Sequence, residues 1–317
     1  MLIGVVATGV VGPESAQGAQ KRFVFAKRIA PAGGILSFTV TCPRGWVEVG
    51  GTILSNPALM RVRANIPGAN ARQRIFSFDN RGRSQAAEVR VRITCLRIPP
   101  PRVGGPLRLG RPILIKSKFK PKKLARRPRI VSTPICPKRQ LVVGPGIEIR
   151  PSDDAPAKQQ IAAASVRETG IPFSVSKFWI SRTKRGERAQ VRAEGARLDG
   201  YDIRVSARCL KPVATSGPTG HRSSLSATRR VRIKINLPVF SGPVEPGINR
   251  VKASCPKGSI SLGAGYAFPP GTGLSLFRAF PLAGRASIWE IDSPATTEVL
   301  VRVQAQCLDT SSSLRRR

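Results

Sequence analysis

The chain of 317 residues carries 54 Lys and Arg against 17 Asp and Glu, a net charge of +37, with one His and six Cys. Hydrophobic residues make up 41%, enough for sizeable cores in two or three domains, and no apolar run approaches the roughly 20 residues of a membrane span. A single histidine excludes most His-based catalysis and most zinc sites, while the surplus of cations points to nucleic acid, teichoic acid, lipopolysaccharide or anionic lipid as partner.

Met1 to Gly12 is an apolar stretch, followed by Pro13, Glu14 and the small residues Ser15-Ala16-Gln17-Gly18-Ala19. Residues 1–20 thus resemble a secretory signal with cleavage near residues 18–20, although no Lys or Arg precedes the apolar stretch; an ordinary N-terminal strand is the alternative.

Residues 21–98 read as a first β-module. It opens on a basic strand from Arg22 to Ile29, and Leu36, Phe38, Val40 and Cys42 then alternate along a second. Gly50 and Gly51 follow, then the aromatic segment Ile75-Phe76-Ser77-Phe78-Asp79. A period-two strand through Val89, Val91 and Ile93 ends in Cys95. A stiff, extended Pro/Gly linker occupies residues 99–106.

The second module, residues 107–212, is the longest and most basic. It holds the run Lys116, Lys118, Lys120, Lys122, Lys123, Arg126, Arg127 and Arg129: eight cations in fourteen residues with no acid. Such a run suits a phosphate-tracking surface. Its first half alternates with Ile115, Ser117 and Phe119, as in a strand with one charged face. Pro121 and Pro128 then break regular pairing, so the expectation is an edge strand running into an exposed basic loop. Edge protection by lysine is the plainer alternative. The module continues through Cys136, Gly144, Gly146 and Phe178-Trp179-Ile180 to a strand of Ile203, Val205, Ala207 and Cys209. Its extra length, about 20 residues, divides between residues 153–168 and 182–200, and Gln159 to Glu168 suit one short helix.

A Ser/Thr/Gly linker, residues 213–228, contains the lone His221. The third module, residues 229–310, opens on Arg230 to Leu237. It repeats the pattern with Cys255, Gly263, Gly265 and Ile288-Trp289-Glu290-Ile291-Asp292, and closes through Val299, Val301, Val303 and Ala305 to Cys307. Residues 311–317 form a basic tail ending in three arginines.

The cysteines carry the repeat. Cys42, Cys136 and Cys255 precede proline, Cys95, Cys209 and Cys307 precede leucine, and the two kinds alternate along the chain. In strands, residues two apart share a face, so both cysteines of each module face its apolar interior. The repeat therefore suggests Cys42–Cys95, Cys136–Cys209 and Cys255–Cys307, and disulfides persist in oxidising compartments. Short strands separated by Gly and Pro make the chain all-β: three tandem antiparallel β-sandwich modules, immunoglobulin-like or small barrels, each with one disulfide. Trp179 and Trp289 are the expected aromatics on the disulfides, with Phe76 or Phe78 in the first module.

The Cys-Pro-x-Gly starts (Cys42-Pro43-Arg44-Gly45 and Cys255-Pro256-Lys257-Gly258), the glycine cluster, the aromatic strand and the closing Cys-Leu resemble repeat domains of secreted actinobacterial proteins with no assigned activity. Module two departs with Lys138-Arg139 and with Pro145 inside its glycine cluster. The resemblance implies secretion and tandem β-domains, and carries over no functional residue.

Chemistry is sparse. His221 sits in a linker without an orienting partner, and Asp153-Asp154 are neighbours whose side chains diverge on a strand. The glycine clusters lack a following Gly-Lys-Ser/Thr and read as turn or bulge glycines. Trp46 and Tyr266 lie beside them, and core or turn packing is favoured over an exposed platform. No cofactor, no metal, no enzymatic activity and no sequence-specific nucleic-acid reading are expected. The reading is a secreted, non-enzymatic protein that attaches electrostatically to an anionic polymer or surface through Lys116–Arg129. The alternatives are a structural spacer or self-assembling surface protein with incidental charge, or an intracellular or virion non-specific nucleic-acid binder.

Overall fold

A computed structural model describes residues 20–55, 60–81, 83–97, 107–109, 113–117, 129–137, 140–151, 174–194, 201–210, 212–214, 229–269, 274–282, 285–294 and 296–314. Among them every regular element is a strand. The first module supplies β1 (Gln20–Ala30), β2 (Ile35–Thr41), β3 (Val47–Ser55), β4 (Arg61–Pro67), β5 (Gln73–Asp79) and β6 (Ala87–Arg97). The second supplies β7 (Leu107–Leu109), β8 (Ile113–Lys116), β9 (Arg129–Ser132), β10 (Leu141–Pro151), β11 (Ser174–Thr183), β12 (Gly186–Glu194), β13 (Tyr201–Leu210) and β14 (Pro212–Ala214). The third supplies β15 (Arg229–Asn236), β16 (Val239–Val244), β17 (Gly247–Ser254), β18 (Ser259–Ala267), β19 (Ser275–Pro281), β20 (Ala286–Ser293) and β21 (Val299–Leu314).

Each module is built around six strands in two three-stranded antiparallel sheets, the first of the six paired to the last and the second to the fifth, while β7 pairs with β14 and β15 with the second half of β21 outside this six-strand pattern. In module one the order is β1-β6-β3 against β2-β5-β4. The same nesting recurs as β8-β13-β10 with β9-β12-β11, and as β16-β21-β18 with β17-β20-β19. This connectivity is that of a jelly roll shortened to six strands. Alternation fills each sandwich. Val89, Val91, Ile93 and Cys95 of β6 are all buried and meet Val40, Phe76 and Phe78 from the facing sheet. The three disulfides join the expected partners across the sheets, Cys42–Cys95, Cys136–Cys209 and Cys255–Cys307, with Cα–Cα distances of 5.8, 5.4 and 5.5 Å. On the chain-entropy account, closing 53-, 73- and 52-residue separations contributes roughly 4 kcal/mol each. The Cys-Pro-x-Gly motif is a tight turn. Gly45 and Gly258 sit at φ +82° and +84°, and the Trp46 and Ser259 amides donate to the Pro43 and Pro256 carbonyls at 3.1 Å.

One alignment in the sequence reading needs correction. Phe178-Trp179-Ile180 lies on β11, the fourth strand of its module, whereas Phe76 and Trp289 lie on fifth strands. Trp179 is only half-buried, and Val191 on β12 takes the place that Phe76 and Trp289 fill elsewhere. Phe178 instead pairs with Tyr266 of module three. Residues 182–200 are therefore largely the β11–β12 hairpin and not an insertion. The extra length falls in residues 152–173 and 117–128, and the residues proposed as a helix lie outside the described residues.

The modules do not hang as separate beads. The third strand of one module joins the fourth strand of the preceding one, so β10 pairs with β4 and β18 with β11, both antiparallel. Each junction passes over a glycine. A Cβ on Gly146 would lie 2.1 Å from the Asn65 carbonyl oxygen, and one on Gly265 would lie 2.7 Å from that of Phe178. At the third junction, between β3 and β19, Thr52 occupies the corresponding position. There a side-chain bond from Thr52 Oγ1 to the Ala279 carbonyl, 3.2 Å, stands where the others have a ladder. Lys21 Nζ adds bonds to the Ser261 and Leu282 carbonyls at 2.9 and 2.6 Å, and Arg92 one to Pro281 at 2.7 Å. Module one thereby meets module three and the chain closes a ring. At its centre Leu96, Leu210 and Leu308, the leucines of the three Cys-Leu pairs, pack with Val49, Val143, Ile260 and Leu262.

Antiparallel pairing at the junctions aligns the modules in one direction. The connections β1–β2, β3–β4 and β5–β6 and their counterparts therefore share one end, here the loop end. The Cys-Pro turns and the disulfides share the other. Gly265→Ala should destabilise the chain by about 1–3 kcal/mol through overpacking at a backbone contact. Thr52→Gly should cost about 1 kcal/mol, one hydrogen bond; chemical denaturation of both variants measures the difference.

Candidate functional site

Among the described residues one group of charges is wholly buried. The buried group lies where module two meets module one. Glu48 on β3, Arg74 on β5 and Arg208 on β13 are 0%, 1% and 1% exposed. Arg74 Nη1 donates to Glu48 Oε1 at 2.8 Å, and Arg208 Nε to Glu48 Oε2 at 3.3 Å. Two guanidiniums on one carboxylate leave a surplus of positive charge, which backbone carbonyls absorb. Arg74 reaches Gly144, Pro145 and Asn65, and Arg208 reaches Gly68, Asn70 and Gln73. Burial pushes the Arg74 guanidinium below its ordinary range, against the opposing pull of Glu48. With its hydrogen-bonding capacity turned inward, this cluster is a junction and presents no face to a ligand.

The other junctions use different chemistry at corresponding places. Gln306 donates to the Val142 carbonyl, and Glu187 accepts from the Val142 amide at 3.0 Å and pairs with Arg182. Gln304 bonds the Ile180 amide and carbonyl at 2.9 and 3.1 Å. At the third junction Arg92 lies 4.1 Å over the Phe23 ring, and burial pushes its guanidinium down to about 10. Thus the three residues ending each module have separate tasks. In Arg208-Cys209-Leu210 and Gln306-Cys307-Leu308, the first grips the preceding module, the cysteine staples its own, and the leucine packs at the centre. Thr94-Cys95-Leu96 repeats the last two tasks, and Thr94 is buried. The sequence signal was a charged or amide residue directly before an inward-facing cysteine, and it was not read as such.

The densest basic run of the sequence extends from Lys116 to Arg129. Lys116 is exposed at the end of edge strand β8, and Ile115 and Ser117 on either side are buried, so the expected alternation holds. Ser117 is pinned by its amide to the Val205 carbonyl at 2.8 Å. Arg129 opens edge strand β9. Lys118, Lys120, Lys122, Lys123, Arg126 and Arg127 lie outside the described residues, as do His221 and Asp153-Asp154. The described flanks of the run, Lys116 and Arg129, both stand at the loop end. The β8–β9 connection has 12 residues (117–128) where its counterparts have 4 (31–34) and 2 (245–246). Residues 152–173 connect β10 to β11 at the same end. The strand ends flanking both of module two's longer connections stand at that end.

Tyr266 is buried and burial pushes its phenol up; Trp46 packs on the first module's core. Neither forms an aromatic platform. Among the described residues no group of three or more His, Cys, Asp or Glu could hold a metal, and no helix is long and apolar enough to cross a membrane. The chain matches no protein-family model and no curated protein.

Removing Glu48 leaves two buried guanidiniums facing each other, so Glu48→Ala should cost roughly 3–5 kcal/mol in denaturant unfolding. Asp79, at the loop end, gives a pH signature. Burial alone would raise its carboxyl, but hydrogen bonds from the Arg81 side chain and amide prevail and hold it below its ordinary value. A depressed carboxylate stabilises above its unfolded value and loses that contribution as pH falls through the folded one. The melting temperature should therefore fall more steeply from about pH 5 to about pH 2 in the wild type than in Asp79→Asn.

Proposed function

We propose that this is an extracellular, non-enzymatic protein that attaches by charge to an anionic polymer or surface. The observation that carries the reading is the concentration of eight cations without an acid in the sequence from Lys116 to Arg129, whose described flanks stand at one end of the ring. Three disulfides belong to an oxidising environment, which supports export as the finer reading. The N-terminal apolar stretch and the resemblance to secreted repeat domains agree with it. The mechanism is counterion release: each phosphate or carboxylate neutralised by Lys or Arg frees a condensed cation, so affinity falls steeply with salt. A dense basic run suits such binding, because the polymer need not be read base by base or sugar by sugar.

Heparin chromatography tests the reading. The chain should elute well above about 0.2 M salt. Replacing Lys118, Lys120, Lys122, Lys123, Arg126 and Arg127 with Gln should reduce the log–log salt slope by up to about five. Elution below that salt, or an unchanged slope in the variant, would contradict it.

A further inference from the structure

The β11–β12 hairpin has one face inside module two and one outside. Ala189, Val191 and Ala193 of β12 are fully buried, so Arg188, Gln190 and Arg192 point outward between them. Across the ladder these three stand opposite Ser181, Trp179 and Lys177, and all six side chains are partly exposed. Lys177 Nζ lies 5.4 Å from the centre of the Trp179 ring. The Gln190 amide oxygen accepts from Arg188 Nη2 at 3.1 Å and from Ser132 Oγ at 3.2 Å, which ties the guanidinium into the plane of the face. Lys184 and Arg185, both exposed, continue the charge at the hairpin turn. Between residues 177 and 192 the one carboxylate is Glu187, buried on the inner side and paired with Arg182. The corresponding fifth strands differ. With Phe76 and Phe78 facing the core, β5 turns Ile75, Ser77 and Asp79 to the other side, and with Trp289 and Ile291 inward β20 does the same with Ile288, Glu290 and Asp292. Where those two faces carry carboxylates, the module-two face carries cations around an indole.

We propose that this outward face binds single-stranded nucleic acid without sequence preference, a base stacking on Trp179 and the neighbouring phosphates lying on Lys177, Arg188 and Arg192. This rests on the anionic-polymer reading above and narrows it to a polymer that carries flat rings beside its charges. Sulfated or phosphate-linked chains without bases answer the cations and give the indole no ring to stack on. A duplex keeps its bases stacked inside and offers this face phosphates alone. A single strand presents both, and any base has a π-face for the indole, which is why such binding tolerates sequence. Arg188 and Arg192 lie two residues to either side of Gln190, the residue opposite Trp179, so cations flank the ring in both directions along the strand. Gln190 and Ser181 add donors and acceptors that suit the edge of any base.

Fluorescence anisotropy with a labelled oligo-dT of about 12 nucleotides tests this, beside a duplex of the same length and heparin chromatography. Trp179→Leu keeps apolar bulk and loses the aromatic face. It should bind oligo-dT about tenfold more weakly than the wild type, yet match the wild type on the duplex and on heparin. Trp179→Phe, which restores a ring, should recover most of the loss. Lys177→Gln/Arg188→Gln/Arg192→Gln should lower the log–log salt slope for oligo-dT by about two. If Trp179→Leu does not fold, that charge variant carries the test, and an unchanged slope overturns the proposal. Equal oligo-dT binding by wild type and Trp179→Leu would overturn it too. So would an equal loss on duplex or heparin, which makes Trp179 a structural or glycan-binding residue. Heparin retention without oligo-dT binding would overturn this proposal and leave the polyanion reading standing, whereas failure on both would remove the broader reading as well.

Discussion

A strand can enter its neighbour's sheet only where its own backbone comes within hydrogen-bonding distance, and at Gly146 and Gly265 any side chain would collide with the facing carbonyl. That steric condition organises the molecule. With it met twice, the second module is laid on the first and the third on the second in one rotational sense, and the third junction follows from the geometry of the other two. The ring, its buried centre of Cys-Leu leucines and the shared direction of all three modules are consequences.

The junctions are alike in position and unlike in chemistry. Glu48, Arg74 and Arg208 hold the first, Gln304 and Gln306 the second, and Thr52, Lys21 and Arg92 the third. Buried charge of this kind contributes little net stability compared with apolar packing, but a mismatched partner is costly. Exchanging any module for another would leave a guanidinium or an amide without its acceptor. Distinct polar sets therefore fit a single chain that must assemble its own modules in order and not those of a neighbouring copy.

What the sequence disclosed was what each module does within itself. Two-residue alternation ending in cysteine gave the inward strands and the disulfides, and Cys-Pro-x-Gly gave the turn. Repeated positions doing the same work leave a repeated signature. The docking of modules was illegible for the opposite reason: position 48 is Glu, its counterparts are Val142 and Ser261, and no pattern survives such divergence. Phe178-Trp179 misled because its aromatic character serves a neighbouring module's Tyr266 and not its own core. The glycines were recognised as bulge residues, and bulges do occur before Gly50, Gly146 and Gly263. Their second role, admitting a neighbour's strand, depends on contacts more than eighty residues apart. The basic run, by contrast, was plain in the sequence as eight cations without an acid.

The ring gives the molecule two unlike ends, one stapled by disulfides and short turns, the other bearing most of the exposed aliphatics among the described residues. Attachment through one end of a rigid body follows only if the three modules are docked in solution. Small-angle X-ray scattering measures this directly. A closed ring of this length should have a radius of gyration near 20 Å, as for a compact domain. A value of about 27 Å or more, expected for three modules of about 80 residues strung in a row, would contradict the docked arrangement.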